Sequence, residues 1–177
     1  METLKTIAIR KSTRSYKPEQ ITAAELDTIL KAACAAPVGM GAFKTLHLTV
    51  VQNAEALAKL VELAQAAAVA AGRTANNPLY GAPTLVLICA EPATVPGLDM
   101  ANAGCIAENM MLAATDLGLG SVYLHGAAMT VANNEELRTL VQIPEGFNAI
   151  ASVALGYPTE PLTEERDLGF RIEINRV

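Results

Sequence analysis

The stretch Pro83-Thr84-Leu85-Val86-Leu87-Ile88-Cys89 constrains the fold more than any other part of the chain. A strand with one wet face alternates apolar and polar residues, whereas a strand covered on both faces does not need to. This run therefore reads as a strand with packed layers on each side. A chain that contains it must fold as a layered domain.

The flanking sequence supplies the layers. Thr22-Ala23-Ala24-Glu25 matches a capping box, in which the Thr and Glu side chains satisfy the first free N–H groups of a helix. Leu26, Ile29, Leu30 and Ala33 then give one apolar face at i, i+3, i+4 and i+7. This helix is expected to stop near Ala36, because Pro37 restricts the residue before it. A short helix is expected over 2–9, a strand over 46–51, and a helix over 54–71 capped by Asn53. The stretch 99–117 is the most strongly helical. Ile106, Met110, Ala113, Ala114 and Leu117 line one side and Ala103, Ala107 and Met111 others, so burial nearly all round is expected. Gly118 suits the position after the helix end. Gly120 to Leu124 reads as a strand entering a His125-Gly126 turn, with a helix over 133–141 and a strand over 147–155. Arg171 to Asn175 alternates polar and apolar residues and reads as a last strand. No repeat or domain-length linker interrupts the 177 residues, so one domain spanning 1–177 is expected. The residues alone do not give the strand order.

Composition excludes several classes. The formal net charge of −5 argues against nucleic acid or an anionic membrane as general partner. With 51% hydrophobic residues and no Trp, the core must be built from Ala, Val, Leu, Ile and Met. Small residues on helix faces also suit a helix–helix interface between subunits. Cys34, Cys89 and Cys105 are odd in number and widely spaced among apolar neighbours, which suits reduced, mostly buried thiols. No metal-ligand spacing is present. Met1-Glu2-Thr3-Leu4-Lys5 lacks a signal-peptide layout. The apolar stretches around 60–71 and 81–90 are interrupted or too short for a bilayer. A soluble, cytoplasmic protein is expected, with no membrane partner.

Three places could carry chemistry. Arg10-Lys11-Ser12-Thr13-Arg14-Ser15-Tyr16-Lys17 holds four of the 13 Lys and Arg residues. In an extended segment Arg10, Ser12 and Arg14 would point to one side and form an anion clamp. The same cations also suit a solvated helix end. Pro37-Val38-Gly39-Met40-Gly41 could let backbone approach a flat ligand, or be an ordinary turn. Gly118-Leu119-Gly120 through His125-Gly126 could present backbone N–H groups in a fixed direction. His125 is a possible acid or base and equally a structural residue, while His47 reads as a packing residue. Dinucleotide, P-loop, nucleophile-elbow and zinc-protease motifs are all absent.

Taken in order, five stretches resemble the nitroreductase family of flavoproteins. They are Arg10-Lys11-Ser12-Thr13-Arg14-Ser15-Tyr16; Ala35-Ala36-Pro37 with its small-residue loop; and Tyr80-Gly81-Ala82-Pro83 leading into the apolar strand. The others are Ala107 to Ala114 with Gly118-Leu119-Gly120-Ser121, and Ile143-Pro144-Glu145-Gly146 with Leu155-Gly156-Tyr157-Pro158. The resemblance implies an α+β, three-layer α/β/α fold with a mixed, mainly antiparallel central sheet. It implies a homodimer with a C-terminal strand exchanged between subunits and two FMN sites at the interface. By position, Arg10 and Ser12 would hold the FMN phosphate, with Lys11 nearby. Arg14 would sit by the pyrimidine edge and support the reduced flavin electrostatically. Pro37, Val38, Gly39 and Gly41 would line the site from the other subunit. Tyr123, Leu124, His125 and Gly126 would lie against the ring. Arg166 would be a second phosphate ligand, with Arg171 as the fallback.

The sequence departs from the family pattern in places. The loop after Pro37 lacks the usual Ser, Asn and Gln-Pro-Trp, Glu164-Glu165-Arg166-Asp167 replaces a usual Arg-Lys-Pro, and Glu91 to Leu98 is short where many relatives cover the flavin. The implied activity is ping-pong transfer of two electrons from NADH or NADPH to nitroaromatics, quinones or flavins, with chemistry carried by the cofactor. Alternatives are a flavin-binding sensor or store without turnover, and an α/β domain without flavin.

Overall fold

The computed structural model describes residues 2–177; Met1, the first residue of the N-terminal segment read above, lies outside them. The helices are α1 (Thr3–Ile9), α2 (Ala23–Cys34), α3 (Ala54–Ala70), α4 (Leu98–Asp116), α5 (His125–Ala132) and α6 (Glu135–Leu140). The strands are β1 (Leu46–Val51), β2 (Thr84–Ala90), β3 (Gly120–Tyr123) and β4 (Asn148–Gly156). The strands form one sheet in the order β1-β2-β4-β3, and each neighbouring pair is antiparallel. The expected mixed character survives only in an isolated parallel bridge between Ser12 and Ser121.

Every residue of β2 is buried, as its unbroken apolar run requires. Its side chains divide by parity. Leu85, Leu87 and Cys89 join the core under α3, α5 and α6, with Leu60, Val131 and Leu137. Val86 and Ile88 join the core under α2 and α4, with Ile29, Ala33, Ile106 and Met110. The period-2 pleat thus feeds two cores from one strand and makes the sheet the middle of three layers. A fully buried aliphatic side chain such as Leu85 contributes about 1.5–3 kcal/mol. Burial also pushes the Cys89 thiol up to about 11, so it stays protonated at neutral pH.

The helix starts follow their signals. The Thr22 hydroxyl accepts from the Glu25 N–H while the Glu25 carboxylate accepts from the Thr22 N–H. Asn53 caps α3 through the Ala56 N–H, and Gly118 ends α4 at φ +75°. Five expectations differ from the structure. His125-Gly126 is not a turn but the first residues of α5, and the helix expected over 133–141 shortens to α6, capped by Asn134. The apolar residues of 127–131 fit strand or helix, and packing against the sheet decides for helix. α4 is not covered all round, because Gly104, Cys105 and Glu108 are exposed in the single chain. Of the cysteines only Cys89 is buried; Cys34 and Cys105 are exposed on α2 and α4. Arg171 to Asn175 pairs with no strand in the single chain. His47 packs against the Phe147 ring at 5.7 Å between centroids, as its apolar strand suggests.

Among the described residues, no helix is long and apolar enough to cross a membrane. No cluster of three or more His, Cys, Asp or Glu side chains there could hold a metal.

Candidate functional site

The basic segment leaves α1 at Arg10 and runs extended along the outer edge of β3. Thr13 N–H donates to the Ser121 carbonyl at 2.9 Å. Further along, Lys17 N–H donates to Tyr157 and Thr159 N–H to Ser15, which ties the segment past the end of β4. Thr13 and Tyr16 are buried, whereas Ser12 and Arg14 face out. Gly120 makes this docking possible. A Cβ there would stand 2.7 Å from the Thr13 methyl carbon. The segment is therefore a fifth sheet element in position, held at a fixed height over β3.

Its two arginines occupy different surroundings. The Arg10 Nε lies 3.5 Å from a Glu108 carboxylate oxygen on α4, and its side chain is only 16% exposed. The Arg14 guanidinium lies over the Tyr80 ring, 6.0 Å from its centroid. Three residues lie between them, and four steps of extended chain span up to about 13 Å. Three buried hydroxyls where the strip meets β3, those of Thr13, Tyr16 and Ser121, have no hydrogen-bond partner among the described residues. Burial pushes the Tyr16 hydroxyl above its ordinary range, against the lowering influence of Arg14.

Beyond β3 the chain enters α5. The Leu124 N–H donates to the Ser152 carbonyl at 2.8 Å and its own carbonyl accepts from the Ser152 hydroxyl. The N–H groups of His125, Gly126 and Ala127 then begin the helix and have no intrahelical acceptor. The His125 Nδ1 lies 3.2 Å from the Ile150 carbonyl, so the proton sits on Nδ1. Ile150 is the unpaired residue of a bulge in β4, which turns its carbonyl toward that ring. His125 is thereby fixed as a structural ring with its backbone exposed at the helix start. Tyr123 is 39% exposed beside it. Gly126 and Tyr80 line the same cavity, so Arg14, Tyr80 and Gly126 form one neighbourhood.

The loop after α2 is elsewhere. Gly39 N–H donates to the Asn102 side-chain oxygen on α4 at 2.8 Å. A Cβ on Gly39 would meet Leu98 at 2.5 Å. Met40 and Gly41 adopt positive φ, 59° and 62°. Pro37 and Val38 precede this tight turn. None of the loop's hydrogen bonds among the described residues reaches Arg10–Arg14 or His125–Gly126. Along α4, Asn102 and Glu108 are six residues apart, about 9 Å of rise and about 240° of rotation. One chain thus splits the expected site into two parts on different faces of α4.

Arg166 lies at the end of α1, where its guanidinium donates to the Ile7 carbonyl at 3.0 Å and its N–H to the Ala8 carbonyl at 3.1 Å. It caps the negative end of that helix, the end from which the chain continues into Arg10. Arg171 lies exposed in the tail.

The family model described as Nitroreductase family matches residues 7–157, the span that holds both parts of this site. The chain belongs to the nitroreductase family. Its relatives include a protein of Archaeoglobus fulgidus provisionally named NADH dehydrogenase/NAD(P)H nitroreductase. That protein is 37% identical over 90% of this chain and 87% of its own. Among solved structures, a nitroreductase with bound FMN from Bacteroides fragilis has a TM-score of 0.83 at 33% identity, covering 99% of this chain and all of its own. Another with bound FMN, from Desulfitobacterium hafniense, has a TM-score of 0.86 at 27% identity, covering 100% of this chain and 99% of its own.

In this nitroreductase, sequence reasoning missed two positioning residues. Asn102 is polar yet only 5% exposed on α4, a signal that could have been noticed. Tyr80 was read only as part of a motif. Its contact with Arg14 spans 66 positions and has no local signature.

Proposed function

We propose that this chain is an FMN-dependent oxidoreductase that works as a homodimer and takes electrons from NADH or NADPH. The observation that carries the reading is the docked strip Arg10–Tyr16. It sets a cationic group at each end of a span of up to about 13 Å. That spacing suits a ligand with a dianionic head and a flat polar ring.

The residues fit FMN. Buried hydroxyls of Thr13, Ser121 and Tyr16 lack partners beside the strip, and Gly120 leaves the backbone cradle that a Cβ would fill. Arg10 and Ser12, with Lys11, would hold the phosphate through charge-assisted hydrogen bonds. Arg166 keeps four of its five N–H donors free of Ile7 and would be the second phosphate cation. Arg14 would face the pyrimidine edge and favour the extra negative charge of the reduced state. Tyr123, Leu124, His125 and Gly126 would border the ring, with the free N–H groups of His125 and Gly126 directed at its polar edge. Held by these residues, FMN would supply two-electron redox chemistry between a reduced nicotinamide and an acceptor. Donor and acceptor would use the same face in turn, a ping-pong order. Nitroaromatics, quinones and free flavins are the acceptors such an open site suits.

The dimer follows from what the single chain leaves open. The β3 edge is covered at Ser12, but the outer edge of β1 has no partner strand. The tail exposes Leu168, Phe170, Ile172 and Ile174 at alternate positions. Such a tail would complete a sheet on the β1 edge of a second copy. The exposed stripe Ala101, Gly104, Cys105 and Glu108 of α4 would pack against its counterpart. The Pro37, Val38, Gly39 and Gly41 loop would then reach the other subunit's flavin.

The absorption spectrum of the purified protein tests this. Bound flavin that bleaches with anaerobic NADH or NADPH and recovers with a quinone supports the enzyme. Flavin left oxidised by both nucleotides would make the protein a store. Arg10→Ala with Ser12→Ala is expected to lose flavin on dialysis, and full retention would show that the phosphate is elsewhere.

A further inference from the structure

A cavity of about 570 Å3 opens between the C-terminal end of α3 and the start of α5. Its volume lies within the range of small-molecule sites. At one end it is lined by Tyr80 and Gly126, the neighbourhood assigned above to the flavin ring. At the other end are Arg73, Thr74 and Asn76. Arg73 is the one cationic residue in its lining, and no acidic residue lines it.

The segment carrying Arg73 is built rather than loose. Gly72 ends α3 at φ +67°, its N–H donating to the Val69 carbonyl. The Arg73 N–H donates back to the Ala68 carbonyl at 2.8 Å, the two-bond pattern of a Schellman end. Gln65 holds the Ala75 carbonyl and Asn77 caps the Leu79 N–H. The backbone under Arg73 is therefore fixed relative to the sheet. No carboxylate pairs with its guanidinium among the described residues.

We infer that Arg73 binds a phosphate group of the pyridine-nucleotide donor and so sets the enzyme's affinity for NADH and NADPH. The inference rests on the FMN reading above. A donor whose nicotinamide reaches the ring near Gly126 must lay the rest of its length outward, and this cavity leads from Gly126 to the guanidinium. Guanidinium forms a planar, bidentate match to phosphate. The Thr74 hydroxyl and Asn76 amide add neutral donors. The chain is net acidic at −5, so an anionic donor is repelled in general and requires a local cation where it docks. The chain holds no dinucleotide motif, so recognition falls to side chains of this kind.

The test uses the flavin-loaded protein and its Arg73→Gln and Arg73→Lys variants, with a quinone at saturation. KM is measured for NADH, NADPH and N-benzyl dihydronicotinamide, a hydride donor without phosphate. Arg73→Gln is expected to raise KM for the dinucleotides about tenfold. Arg73→Lys should restore most of that loss, while KM for the phosphate-free donor moves less than about twofold. A rise for NADPH alone places the 2′-phosphate at Arg73, and an equal rise for both places the pyrophosphate there. Dinucleotide KM values unchanged in Arg73→Gln would overturn the inference, as would an equal rise for the phosphate-free donor. Flavin content and anaerobic reduction of the wild type are read separately. A wild type that binds no flavin, or is reduced by none of the three donors, removes the FMN reading itself. A flavin-replete, reducible wild type with an indifferent Arg73→Gln removes only this assignment.

Discussion

Gly120→Ala is the sharpest perturbation of the proposed phosphate end, because it adds one methyl group where the basic strip meets the sheet. The new Cβ would stand 2.7 Å from Thr13 Cγ2, 2.9 Å from Thr13 Oγ1 and 3.0 Å from Thr13 Cβ. Ordinary contact begins near 3.4 Å, so the strip must yield by about 0.7 Å. Overpacking of this kind costs about 1–3 kcal/mol. For a chain of this length that lowers Tm by roughly 3–9 °C. The same shift stretches any hydrogen bond that Ser12 or Arg10 makes to phosphate past its useful range. Loss of one charge-assisted bond, worth about 1.5–3 kcal/mol, would weaken FMN binding about 10- to 100-fold. The assay is differential scanning calorimetry with flavin titration of the stripped protein. Thr13→Ala in the Gly120→Ala background removes the two nearer atoms and should recover at least half of both losses. A Gly120→Ala protein with unchanged Tm and unchanged flavin affinity would refute the claim that this contact positions the strip. So would a double variant with no recovery.

Three further outcomes follow from other contacts. Burial raises the Glu25 pKa, but hydrogen bonds from Thr22 and Tyr157 outweigh it and hold the carboxyl below its ordinary value. Its contribution is therefore present above that value and lost as pH falls through the lower folded one. Glu25→Gln should cost about 1 kcal/mol in urea unfolding near neutrality, and that cost should shrink as the pH is taken down through the acid range. Deleting the residues after Asp167 removes the tail's alternating apolar side chains and should convert a sedimenting dimer to monomer; an intact dimer would show that α4 alone holds the subunits together. Asn102→Ala leaves the Gly39 N–H without its acceptor, costs about 1 kcal/mol of stability, and should weaken flavin retention although the Arg10–Arg14 strip is untouched. Equal retention would separate that loop from the site.

Local chemistry made much of this protein readable in advance. The capping box at Thr22, the Asn53 cap, the Gly118 stop and the unbroken apolar run of β2 each act within a few residues, so their consequences are written in order along the chain. The strip Arg10–Tyr16 was legible as a composition of cations and hydroxyls, and it lies within residues 7–157, which match the nitroreductase family. His125–Ala132 was misread because its apolar residues suit either period, and only burial against the sheet selects the helix. The tail's alternation is real, but a strand exists only beside another strand, so the single chain leaves it unpaired. Pairings over long separations were beyond any local rule. Arg10 with Glu108, Arg14 with Tyr80, and Gly39 with Asn102 depend on which surfaces the two cores bring together. Local chemistry thus set the starts of α2, α3 and β2 and the residue types able to hold an anion. The tertiary structure alone decided which of those residues face one another, because contacts between distant positions form only when hydrophobic burial stacks the layers.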